Sequence, residues 1–184
     1  MSELSIFSDE EITLLTSLPY KVGVWISHAD DEEGEADDER EMKSLSACLK
    51  AVAKEYDGPG LVDDIARETL KREPFWMEWT DQSYNILPDC EQALVLLKEK
   101  AGLQDAKNYK SALLEIAATV AQAYGEFNGF DEVPEEEGFF GSIVNKVVGG
   151  FSGMSKDDAN HPMNISPSED SAISQLAAAL KIDE

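Results

Sequence analysis

Residues 105–124 read DAKNYKSALLEIAATVAQAY, and this stretch decides the fold class. Tyr109, Ala112, Leu113, Ile116, Ala117, Val120 and Tyr124 recur three and four apart, the spacing of one helical face. Leu114, Ala118 and Ala121 carry the apolar surface nearly all the way round. A helix that is apolar on every side belongs at the centre of a bundle. Asp105 is placed to cap its start, and Gly102 to end the helix before it.

The segments on either side have the same helical period. Ser8-Asp9-Glu10-Glu11 is a capping box, opening a helix through Ile12, Leu14, Leu15 and Leu18. Pro19 suits the first turn of a second helix, through Val22, Trp25, Ile26 and Ala29. Asp37 or Asp38 can cap a third, with Met42, Leu45, Leu49, Val52 and Tyr56 inward, stopped by Asp57-Gly58-Pro59-Gly60. A short helix follows from Leu61 to about Arg72. The aromatic segment Phe75-Trp76-Met77-Glu78-Trp79 reads as core packing at a helix crossing. Another helix is expected from Pro88, with Ala93, Leu94 and Leu97, and a further one over about Glu135–Val148. Gly149-Gly150 leads into a polar linker. Ser168-Glu169-Asp170 then caps a last helix, with Ile173, Leu176, Ala177 and Leu180 on one face. That helix either docks on the bundle or is presented to a partner. No segment alternates with period two. The expected fold is all-α: one bundle of about seven helices over residues 1–150, then a linker and tail helix over 151–184.

The chain has 184 residues, 42% of them apolar, enough for a real core. Its 38 acidic and 15 basic side chains give a net charge of −23. Nucleic-acid backbones and anionic membranes need clustered Lys and Arg, so neither is expected as a direct partner. An acidic protein favours cations and basic proteins. Cys48 and Cys90 are too few for a disulfide framework and read as reduced, buried thiols. No stretch approaches the ~18 apolar residues of a membrane span, so a cytoplasmic protein is expected.

The densest feature is Asp30–Glu41, where nine of twelve residues are carboxylates. An acidic turn between two helices can hold a hard cation, repel polyanions or simply be solvated. The context recurs. A small-residue-rich helix ends at Ala29 or Ala123, a Gly-Glu pair follows (Gly34-Glu35, Gly125-Glu126), and an acidic helix start comes next. Two pseudo-repeated helix–acidic turn–helix units would bring the two turns near one another.

At these residues the chain resembles the tellurite-resistance TerB-like family. The matching positions are Ala29-Asp30, then Gly34-Glu35-Ala36-Asp37-Asp38-Glu39-Arg40, with a weaker second copy at Ala123-Tyr124-Gly125-Glu126. Asp31-Glu32-Glu33 is an insertion relative to that pattern, and Tyr124 stands where an Asp is expected. The resemblance implies an all-helical, non-enzymatic cytosolic protein, of a kind linked to tellurite, phage and colicin resistance. Such proteins bind divalent metal at the acidic turns and work in membrane-associated complexes through protein partners.

The acid supply itself suits a hard divalent cation, calcium or magnesium, which takes six to eight oxygens. The preferred ligands are Asp30, Asp31, Glu35 and Glu39 from the first turn, with Glu126 and Asp131 from the second. An EF-hand loop is excluded by spacing. With Asp30 at position one, Gly34 falls at position five, not the required sixth. The competing reading is a metal-free acidic interaction or scaffold protein facing a basic partner. Enzyme readings are weak: there is no P-loop, no GxGxxG and no distinctive Ser/His/Asp or Cys/His spacing. His28 reads as a helix-end histidine complementing the dipole.

Overall fold

A computed structural model describes residues 3–30, 38–56, 58–127 and 167–182. Within them the chain is all-helical. The helices are α1 (Asp9–Ser27), α2 (Asp38–Glu55), α3 (Leu61–Lys71), α4 (Trp76–Thr80), α5 (Ile86–Lys100), α6 (Leu103–Phe127) and α7 (Pro167–Ala179). Short 3-10 turns occupy Glu3–Ile6, His28–Asp30, Glu73–Phe75 and Ser83–Asn85. The expected helix near Glu135–Val148 and the linker lie outside the described residues.

The start of α1 is built as its sequence dictates. Ser8 Oγ accepts from the Glu11 N–H at 3.3 Å, and the Glu11 carboxylate accepts from the Ser8 N–H at 2.7 Å. The same carboxylate takes Lys100 Nζ at 2.6 Å, pinning the last turn of α5 to the first of α1. The Lys100 hydrogen bond, with the Ser8 amide second, holds the Glu11 carboxyl below its ordinary range.

Pro19 does not begin a new helix; α1 runs through it. A proline inside a helix lacks the N–H that would bond the carbonyl four residues back, here Leu15. The Tyr109 hydroxyl, from α6, donates to Leu15 O at 2.7 Å and fills that vacancy. One turn's carbonyl is thus satisfied from a neighbouring helix, and the break the sequence suggests is bridged. Burial pushes the Tyr109 phenol well above its ordinary pKa, so it stays a donor. Tyr109→Phe keeps the ring but strands a buried carbonyl. It is expected to destabilise the fold by about 1–3 kcal/mol, read by urea unfolding; an unchanged midpoint would show that α1 tolerates Pro19 without this bond.

Central α6 packs against α1, α2, α3, α5 and α7. Ala106, Tyr109, Leu113, Ala117, Val120 and Ala121 are all but fully buried. Its start differs from the expectation for Asp105. The Ala106 N–H bonds Gly102 O at 3.2 Å, so Gly102 is the cap and Asp105 lies in the first turn. Gly102 also ends α5. At φ +111° it turns its own N–H, with that of Ala101, onto Leu97 O at 2.9 and 2.8 Å. Only glycine takes that backbone conformation without strain. α5 itself starts at Ile86, which leaves Pro88 in the first turn, where no intrahelical N–H is needed.

α3 is seated by Asp63, whose carboxylate accepts from the N–H groups of Gly58 and Gly60 at 2.7 and 3.0 Å. Thr69 Oγ1 donates to Thr16 O at 2.7 Å, tying α3 to α1. The last helix takes the docked alternative. Ala172, Ile173, Leu176 and Leu180 join the common core, against α5, α6, α1 and the His28–Asp30 turn.

Candidate functional site

Gly23 marks where three helices meet. A Cβ there would collide with Leu45 Cδ1 of α2 and lie 3.5 Å from Val120 Cγ2 of α6. The absent side chain lets these helices approach closely. Two further contacts give the directions. Tyr109 of α6 meets Leu15 of α1, so α6 runs parallel to α1. Tyr56, just past the end of α2, donates to Glu115 Oε2 of α6 at 2.7 Å, so α2 runs antiparallel to both.

These directions place three of the expected ligands. Asp30 closes the 3-10 turn after α1, Glu39 is in the first turn of α2, and Glu126 is in the last turn of α6. Each lies six or seven residues from the Gly23 crossing in the same spatial direction, about 9–10 Å at a helical rise of 1.5 Å. The backbone positions of all three therefore sit at one end of the bundle. α7 packs against the 3-10 turn at that end. Asp31, Glu35 and Asp131 lie outside the described residues.

The second acidic turn begins later than expected. α6 does not stop at Ala123 but continues to Phe127, so Gly125-Glu126 is helical. The reason is local: Ala121, Gln122 and Ala123 are good helix formers, and a single glycine costs only about 1 kcal/mol, which packing readily overrides. The rest of that connection, 128–137, lies outside the described residues. Among the described residues, no group of three His, Cys, Asp or Glu side chains is arranged to hold a metal.

The Cys90 thiol is quenched as a nucleophile. Cys90 is a free, buried thiol, and its pKa is pushed up to about 12, first by burial and then by Asp89 and Glu91. It stays protonated at neutral pH and is a poor nucleophile. Beside it, buried Lys21 pairs with Asp89 at 3.7 Å. His28 is exposed. A cleft bounded by Pro19, Leu49, Tyr56, Ile65, Leu70 and Ile116 is almost wholly apolar, with room for about one water.

The aromatic segment divides in two. Trp76 and Trp79 are core residues, as the sequence suggests. Trp76 stacks on Tyr20 at 4.8 Å and donates Nε1–H to Thr69 O at 3.2 Å. Phe75 and Met77 instead face solvent, as does Tyr84 in the following 3-10 turn. Composition could not separate them, because five residues of short helix turn only some of their side chains inward. The 100° step between Trp76 and Met77 is the signal that splits them, once Trp76 is known to be buried.

No family model matches the chain, and no curated protein or solved structure matches it either. Among the described residues, no helix is long and apolar enough to cross a membrane.

Proposed function

We propose that this chain is a non-enzymatic, TerB-like helical module of the cytosol that holds a divalent cation, calcium or magnesium, in a stress-response or assembly role. One observation supports it above the others: Asp30, Glu39 and Glu126, from separate elements, come to the same end of the bundle. Hard cations need many oxygens from different parts of a chain, and the sequence Asp30–Glu41 carries nine carboxylates. Nine crowded carboxylates also repel one another, and a bound cation would relieve that repulsion. Any membrane role would come through a protein partner.

Calorimetric titration with calcium, magnesium, manganese and zinc tests the reading. Binding well below millimolar is expected, with melting lowered by chelator. Asp30→Asn with Asp31→Asn should weaken binding roughly tenfold or more, since two charged ligands are lost. Absence of binding below the millimolar range, with melting indifferent to chelator, would sink the metal reading.

The second reading is a metal-free acidic interaction protein facing a basic partner. The observation favouring it lies elsewhere on the molecule. From Glu73 to Leu97 the sequence has no Lys, Arg or His, and this stretch carries the exposed Phe75, Met77 and Tyr84.

A further inference from the structure

The connection between α3 and α5 has an inner and an outer side. Trp76 and Trp79 fix the inner side, anchored by Tyr20, whose hydroxyl pairs with Thr80 Oγ1 at 2.8 Å. At 100° per residue, Met77, Glu78 and Asp81 project from the other side of α4. Phe75, Met77 and Tyr84 are 54, 74 and 83% exposed. Single exposed apolar residues are ordinary, but three large ones fall within ten residues of this one short connection. Glu73, Glu78 and Asp81, all exposed, are interspersed with them in the sequence. Glu73 pairs with Lys50 at 3.8 Å, both about half exposed, which is a weak tie.

We propose that this surface, Glu73–Asn85, docks a basic segment of a partner protein that carries apolar anchors, an amphipathic Lys- or Arg-rich helix being the simplest form. The proposal rests on the basic-partner reading and adds the place. Apolar groups rimmed by charge are the usual anatomy of a contact surface. Here every charged residue from Glu73 to Asn85 is acidic, and the net charge of −23 would steer a basic segment inward. The tryptophans behind the surface hold it in place, so little ordering is required on binding.

Other occupants fit less well. A second copy placed across a twofold axis would set Glu73, Glu78 and Asp81 against the same acids. Residues 128–166 of this chain hold more Asp and Glu than Lys, Arg and His, so they do not supply the complementary charge.

The test uses the full chain and a labelled synthetic peptide of Lys and Leu at helical spacing, followed by fluorescence anisotropy at low and high salt. The peptide is expected to bind, more weakly at high salt. Phe75→Ser/Met77→Ser/Tyr84→Ser should weaken binding roughly tenfold or more with melting unchanged, because all three positions are exposed. Ile6→Ser, at an exposed apolar residue elsewhere, should leave binding intact. If the unaltered chain does not bind the peptide, the basic-partner reading itself fails. If it binds and the triple variant binds equally, that reading survives and this surface is wrong. A scrambled peptide of the same composition binding as tightly would remove the apolar anchors from the proposal. Self-association in sedimentation, lost in the triple variant, would make a second copy the occupant and overturn it.

Discussion

Trp76→Ala is expected to lower the unfolding free energy by about 3–5 kcal/mol, the range for deleting a large buried aromatic. Trp76 is 3% exposed and sits where α1, α3 and α4 meet. Its ring stacks on Tyr20 with centroids 4.8 Å apart, and its indole N–H satisfies Thr69 O. The variant would therefore lose packing and leave a cavity, and Thr69 O would keep only the Arg72 N–H at 3.2 Å. Thr69 in turn donates to Thr16 O, so the loss would reach the α1–α3 contact. For a chain of this size the melting point should fall by roughly 10 °C. Met77→Ala, one residue on but 74% exposed, should change stability by less than about 0.5 kcal/mol. Urea unfolding of the pair is the measurement. A Trp76→Ala midpoint close to that of Met77→Ala would show that the aromatic cluster is not a keystone of the core.

The second large effect concerns α7. Leu176→Ala with Leu180→Ala should cost about 4–6 kcal/mol, slightly less than the sum of two core truncations, because the two side chains are helix neighbours and share a cavity. Both are fully buried, against a core formed with α5 and α6. A free helix of this length is marginal in water, so α7 depends on docking for its order. Two signatures follow. Hydrogen exchange in α7 should accelerate to near the unstructured rate, and helical circular dichroism should drop even where the remaining helices persist. Wild-type protection of α7 in the double variant would mean that other contacts hold it.

The local decisions were legible. The Ser8–Glu11 box, the stop at Gly58-Pro59-Gly60, the turn at Gly102 and the all-round apolar α6 follow from short-range chemistry: caps, backbone freedom and the 3.6-residue period. The acidic run was legible as composition, and Asp30 and Glu39 as candidates within it. Less legible was anything needing a partner distant in sequence. Pro19 reads as a helix start because its missing N–H is visible in the sequence, while the remedy, Tyr109, lies ninety residues on. Phe75–Trp79 reads as core packing throughout because burial is decided by which neighbours are present, here Tyr20 and Thr69.

By itself, then, the sequence determined that this chain is helical, acidic and capped at particular residues, since each of those properties is set within a few positions of backbone. Only the tertiary structure decided that α1 passes through Pro19, that α7 docks, and that Phe75 and Met77 face outward. It also decided that Asp30, Glu39 and Glu126 share one end of the bundle. These outcomes depend on helix direction and crossing, fixed by Gly23 against Leu45 and Val120 and by Tyr109 against Leu15, and no local pattern encodes which helix will lie beside which.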